Sequence, residues 1–121
     1  MSNKTCNRDK GKEGEEEAIG YLQKLGYQIV ETNYRLDYGE IDIICRDKKS
    51  KEGDTLVFVE VKRRLGESYP PEEAITKQKV HKIKQVAEYY ASEHPDLPQL
   101  LRFDVVAIEN TRLTHYVNVE L

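Results

Sequence analysis

A chain of 121 residues is long enough for one domain with a real core, and 38% hydrophobic against 34% charged residues describes a polar but folded protein rather than a disordered one. The net charge of −3 weighs against a protein that coats nucleic acid non-specifically, since such binding rests on phosphate neutralisation, but it leaves room for a local basic patch beside an acidic metal site. No apolar run approaches a membrane span, the polar start from Met1 to Lys12 lacks the apolar core of a signal peptide, and the cytoplasm is the expected location.

Residues 1–11 read as a flexible tail and residues 12–121 as one domain. From Glu13 to Leu25, Ala18, Tyr21, Leu22 and Leu25 recur at helical intervals, with Glu15, Glu16 and Glu17 in the first turns and Gly26 as the stop. Tyr27 to Tyr34 predicts a strand. Asp37-Tyr38-Gly39 is a turn signal, and a second strand follows to Arg46. Asp47 to Asp54 is a polar loop, and a third strand runs from Thr55 to Arg64. Leu65 to Pro71 is a connection. The long helix after it extends to Glu93 and carries an apolar stripe of Val80, Ile83, Val86, Ala87 and Tyr90. His94-Pro95 closes that helix. Leu101 to Ile108 and Leu113 to Val119 are strands around an Asn110 turn. The order α-β-β-β-α-β-β predicts a single α/β domain, a mixed sheet with one helix on each face. Cys6 and Cys45 are too few for a disulfide framework, and Cys45 reads as a small buried hydrophobe.

The second and third strands hold charges among β-formers. Glu40 and Asp42 interrupt Gly39-Glu40-Ile41-Asp42-Ile43-Ile44, and Glu60 and Lys62 interrupt Val57-Phe58-Val59-Glu60-Val61-Lys62. A buried carboxylate is costly unless paired or metal-bound. A hairpin centred near Lys51 sets Asp42 opposite Glu60 and Glu40 opposite Lys62, with opposed Cβ atoms about 4.5–5.5 Å apart. Such carboxylates repel each other but suit a hard divalent cation, Mg²⁺ or Mn²⁺, which accepts one or two carboxylates plus water and phosphate. Lys62 could orient or deprotonate the attacking water, or stabilise charge on a phosphate. Glu40 could be a further ligand or simply pair with Lys62. The competing explanation is a structural ion-pair network. Lys77, Lys79, His81, Lys82 and Lys84 make the second helix basic. Most of these read as a solvated face, but Lys79 borders the buried side and could point toward the site. Arg63, Arg64 and Lys82 could extend a phosphate track from it. Arg102 and Asp104 share a strand face and could pair.

These motifs resemble those of known proteins. An acid on strand two followed by Glu-x-Lys on strand three is similar to the PD-(D/E)XK nuclease superfamily, the restriction-endonuclease-like fold. Gly14-Glu15 with Ala18 and Tyr21-Leu22, Asn33-Tyr34-Arg35, Gly39-Glu40-Ile41-Asp42, Val57 to Lys62 with Arg64, Lys79, and Arg102-Phe103-Asp104-Val105 together resemble the YraN-like family of small bacterial proteins. That family in turn resembles archaeal Holliday junction resolvases. The resemblance implies a metal-dependent endonuclease acting on nucleic acid, DNA above all, in structured or branched form. It casts Asp42 and Glu60 as metal ligands, Lys62 as the catalytic lysine and Glu15 as an extra acid from the first helix. Ile41 stands where the superfamily motif has proline. A homodimer would suit an enzyme that cuts two strands. The alternatives are a non-catalytic nucleic-acid-binding module and a protein-interaction module on the same scaffold.

Overall fold

The computed structural model describes residues 3–64 and 76–119. Its elements are α1 (Asn3–Lys24), β1 (Gln28–Leu36), β2 (Gly39–Asp47), β3 (Thr55–Arg64), α2 (Lys77–Glu93), β4 (Leu100–Glu109) and β5 (Arg112–Tyr116). The predicted single α/β domain and its element order are therefore present. One correction concerns α1, which begins at Asn3 rather than at Glu13, so the segment expected as a tail is helical from that point. No proline interrupts Asn3 to Lys12, so nothing in that stretch stops the helix from continuing. The predicted connection from Leu65 to Pro71 lies outside the described residues.

The five strands lie in sequential order, β1-β2-β3-β4-β5. Every neighbouring pair is antiparallel except β3 and β4, which run parallel and are joined by the crossover that contains α2. Both faces of the sheet are covered, which explains why its central strands are apolar at successive positions. On one face Ala18 and Leu22 of α1 pack against Ile43, Cys45, Val57, Val59, Val106 and Ile108. On the other, Ile83, Val86, Ala87 and Tyr90 of α2 pack against Ile41, Ile44, Leu56 and Phe58.

Helix ends are fixed by short-range chemistry. Gly26, at φ 96°, turns the chain out of α1 while the N–H of Tyr27 donates to the carbonyl of Leu22 at 3.0 Å, a Schellman-type close. Thr76 caps α2 by accepting from the N–H of Lys79 at 3.1 Å. Gly39 is needed for closeness rather than for backbone freedom. A Cβ there would come within 2.8 Å of the Val86 side chain, so its absence lets the start of β2 press against α2.

Buried polar groups tie the two ends of the chain together. The Arg102 guanidinium donates to Asp104 (2.9 Å), to Asp47 (3.0 Å) and to the Tyr27 hydroxyl (2.9 Å). Asp104, fully buried, also contacts the His115 Nε2 at 2.8 Å and accepts from the Asn118 N–H at 2.9 Å. His115 Nδ1 in turn meets the Tyr21 hydroxyl at 3.1 Å. The sequence pattern contains the Arg102–Asp104 pair but not its partners from α1, the α1–β1 connection, β2 and β5.

Candidate metal-and-phosphate site on strands β2 and β3

The β2–β3 hairpin has the register that its loop predicts: Asp47 faces Thr55, Cys45 faces Val57 and Ile43 faces Val59. The Arg46 guanidinium clamps the loop by donating to both oxygens of Asp54, at 3.0 and 2.6 Å. Past Ile43 and Val59 the two strands part. Asp42 occupies the opening, and its Oδ2 accepts the backbone N–H of Val61 at 2.7 Å. A side chain thus takes the place of the next main-chain rung. Face alternation breaks at the same point, since Ile41 and Ile44 both pack toward α2 while Ile43 packs toward α1.

This parting corrects both predicted pairs: Asp42 is not opposite Glu60 in the ladder but turns its carboxylate onto the Val61 N–H beyond it. Glu40 does not meet Lys62. It lies exposed near Arg35 of β1, at 3.5 Å, because the hairpin register ends before reaching it. Asp42 and Glu60 are brought together closely enough for each charge to act on the other. Burial and then the Glu60 carboxylate push the Asp42 carboxyl up to about 7, with the Val61 N–H partly offsetting them and Glu15 and Glu40 adding to the rise. The charge of α1 Glu15 therefore reaches this site from the first helix.

Glu60 is 8% exposed and carries two ammonium groups on one oxygen: Lys79 Nζ at 2.6 Å and Lys62 Nζ at 3.3 Å. The two lysines respond differently. Burial, then the neighbouring Lys79, hold Lys62 below the ordinary lysine range. Burial works most strongly against Lys79, but the hydrogen bond to Glu60 together with its neighbours, including the Glu60 and Asp42 charges, outweighs it and raises the group. The sequence signal for Lys79 was its place at the border of the apolar stripe. Its role as counter-ion to Glu60 has no local signature.

The remaining basic residues separate. Lys82 lines a cavity of about 370 Å³ with Lys79, Glu40 and Tyr38. Arg63 stands on the opposite face of the sheet from Lys62, against Gly14 of α1. The Arg64 side chain lies outside the described residues.

Among the described residues no three His, Cys, Asp or Glu side chains form a ready-made metal cage. The donor set nonetheless fits a hard cation. Two crowded carboxylates, one of them raised by the other's charge, are relieved by a divalent ion that fills its shell with water and phosphate oxygen. Such binding must displace the Asp42 proton. Affinity for Mg²⁺ or Mn²⁺ is therefore expected to rise about tenfold from about pH 6 to about pH 8, as calorimetric titration would measure. An affinity flat across that interval would remove Asp42 from the ligand set.

The model of the family described as "Uncharacterised protein family UPF0102" matches residues 14–108, which include Glu15, Asp42, Glu60, Lys62 and Lys79. The chain belongs to the UPF0102 family. UPF0102 is the YraN-like family of the sequence resemblance. The chain is 43% identical to a UPF0102 protein of Thermodesulfovibrio yellowstonii over 113 residues, covering 89% of this chain and 92% of the relative. A UPF0102 protein of Persephonella marina is 41% identical over 90% of each chain. One of Caldicellulosiruptor saccharolyticus is 42% identical over 93% of this chain and 86% of its own. The chain is thus matched nearly end to end by other UPF0102 proteins. No helix among the described residues is long and apolar enough to cross a membrane.

Proposed function

We propose that this UPF0102 protein is a metal-dependent endonuclease that hydrolyses phosphodiester bonds in nucleic acid, with structured or branched DNA as its substrate. The observation that carries this reading is the crowding of Asp42 and Glu60 with Lys62 on the same carboxylate. Like charges near one another cost stability, and a divalent cation between Asp42 and Glu60 would relieve that cost. The element order, with an acid on β2 and Glu-x-Lys on β3, also matches the nuclease superfamily that the sequence resembles.

In this reading Asp42 and Glu60 hold the divalent cation, which when bound polarises a phosphoryl oxygen and acidifies water. Lys62, set beside Glu60, would orient the attacking water or help remove its proton. Lys79 remains cationic and stabilises negative charge on the phosphate as the leaving oxygen departs. Two copies would serve a cut in both strands.

A second reading has one observation in its favour. Lys62 and Lys79 already neutralise Glu60, an arrangement that also suits a non-catalytic module binding phosphate without metal. Incubating the purified protein with branched, flapped and single-stranded DNA plus Mg²⁺ or Mn²⁺ separates the two. Cleavage is expected, with Lys62→Ala slower by roughly 10²–10⁴-fold. If no substrate is cut, or if Asp42→Ala cuts like the parent, the endonuclease reading fails. Retained DNA binding without a metal-binding heat would then favour the non-catalytic module.

A further inference from the structure

The tyrosines on the α2 side divide into two groups. Tyr90 is 1% exposed and packs edge-on against Tyr34 with ring centroids 4.8 Å apart, as core residues do. Tyr38 and Tyr89 are 46% and 44% exposed. They come from distant parts of the chain, the β1–β2 turn and the middle of α2, yet both line one cavity of about 690 Å³ with Arg35. That volume lies within the roughly 300–1,000 Å³ typical of small-molecule sites. Tyr38 also lines the neighbouring cavity with Lys79 and Lys82, so the two concavities adjoin at its ring. Lys79 in turn touches Glu60. Tyr38 thus joins the concavity of the exposed rings to the one lined by Lys79 and Lys82, and Lys79 reaches Glu60.

The charge of these concavities fits a polyanion with flat bases. Arg35, Lys79 and Lys82 line the two concavities with Asp37 and Glu40, Arg35 meets Glu40 and Lys79 meets Glu60, so a phosphate entering there would meet Lys82 beside two paired cations. Gly39 contributes as well, because its missing side chain lets the Tyr38 turn close onto α2, which carries Tyr89.

We infer that Tyr38 and Tyr89 form a stacking subsite for unpaired nucleotides, which makes the substrate class a nucleic acid with a single-stranded segment next to the scissile bond. An aromatic ring can take a base only when that base has left the duplex stack, and it does so with little regard to sequence. The lysines between the rings and Glu60 hold the connecting phosphates. This inference rests on the nucleic-acid reading of the site and adds the form of the substrate.

Fluorescence anisotropy with the full chain tests it, using a blunt duplex and the same duplex with a single-stranded extension, the extension made in DNA and in RNA. The extension is expected to strengthen binding. Tyr38→Ala and Tyr89→Ala are each expected to weaken binding to the extended probe about tenfold, in both sugar forms, while leaving the blunt duplex unchanged. Tyr38→Phe and Tyr89→Phe, which keep the ring, should bind like the parent. Alanine variants that bind the extended probe as tightly as the parent, or that lose affinity equally on both probes, would overturn the subsite and leave the endonuclease reading standing. A parent protein that binds none of the probes would bring down both.

Discussion

Arg102→Ala is expected to cost about 3–5 kcal/mol, the penalty of leaving buried charges unpaired, and to lower the melting temperature by roughly 10–20 °C. The guanidinium is 9% exposed at its side chain and is the cation facing both Asp47 and Asp104. Its removal also frees the Tyr27 hydroxyl. Arg102→Lys should recover only part of the loss, because one ammonium cannot reproduce a planar fork reaching four residues, Asp47, Asp104, Ser50 and Tyr27. The pH dependence has a definite sign. Burial pushes the Asp104 carboxyl up, but hydrogen bonds from His115, Arg102 and the Asn118 N–H outweigh it and hold the group below the usual carboxylate range. The stability from a depressed carboxylate is present above its unfolded pKa and is lost as pH falls through the folded value. The gap between the parent and Arg102→Ala should therefore narrow in acid, below about pH 4. Chemical denaturation across pH measures this, and a gap that widens in acid would contradict the network as described.

Asp42→Asn is expected to act in the opposite direction on stability while abolishing cleavage. The Asp42 carboxyl is raised from 3.8 to about 7, so the folded state holds a proton that the unfolded state releases. Stability from this group is present at low pH and falls as pH rises toward the folded value. Asparagine keeps an oxygen for the Val61 N–H and removes the charge that Glu60 opposes. At about pH 8 without metal the variant should be more stable by on the order of 2 kcal/mol, and at about pH 4 the two proteins should melt alike. Added Mg²⁺ should raise the melting temperature of the parent and leave the variant unmoved. A variant less stable than the parent at high pH would identify Asp42 as half of a structural ion pair.

The contrast between these two substitutions separates a charged cluster that holds the fold from one that the fold holds under strain. It also bears on what the residue string made legible. Alternation and loop length were enough to place β3 from Thr55 to Arg64 and to set Asp42 and Glu60 at the same end of one hairpin, because both rules act over a few residues. The same rules failed for Glu40, since they assume a ladder that continues, whereas Asp42 ends it by taking the Val61 N–H. They should have separated Arg63 from Lys62, as adjacent strand residues point to opposite faces. Lys79 on Glu60 and the ring of contacts around Arg102 were not legible, because spatial partners drawn from separate elements leave no spacing signal. The tyrosines show both sides of this limit, since helical spacing puts Tyr90 in the buried stripe and leaves Tyr89 off it, but nothing local places Tyr89 beside Tyr38.

The parallel pairing of β3 with β4 has a consequence for the order in which the molecule is assembled. Neighbours on either side of that pair are joined by short turns, β1 through β3 as one meander and β4 with β5 as another. The β3–β4 contact alone requires a long crossover, and the entropy of closing that loop makes it the late step of folding. Glu15, Asp42, Glu60, Lys62 and Lys79 all precede β4 in the chain, so every residue of the site leaves the ribosome before the strand that completes the sheet beneath it. Arg102, Asp104 and His115 arrive last and fasten the finished half to the new one. The candidate site is thus written in the first part of the chain and the contacts around Arg102 in the last.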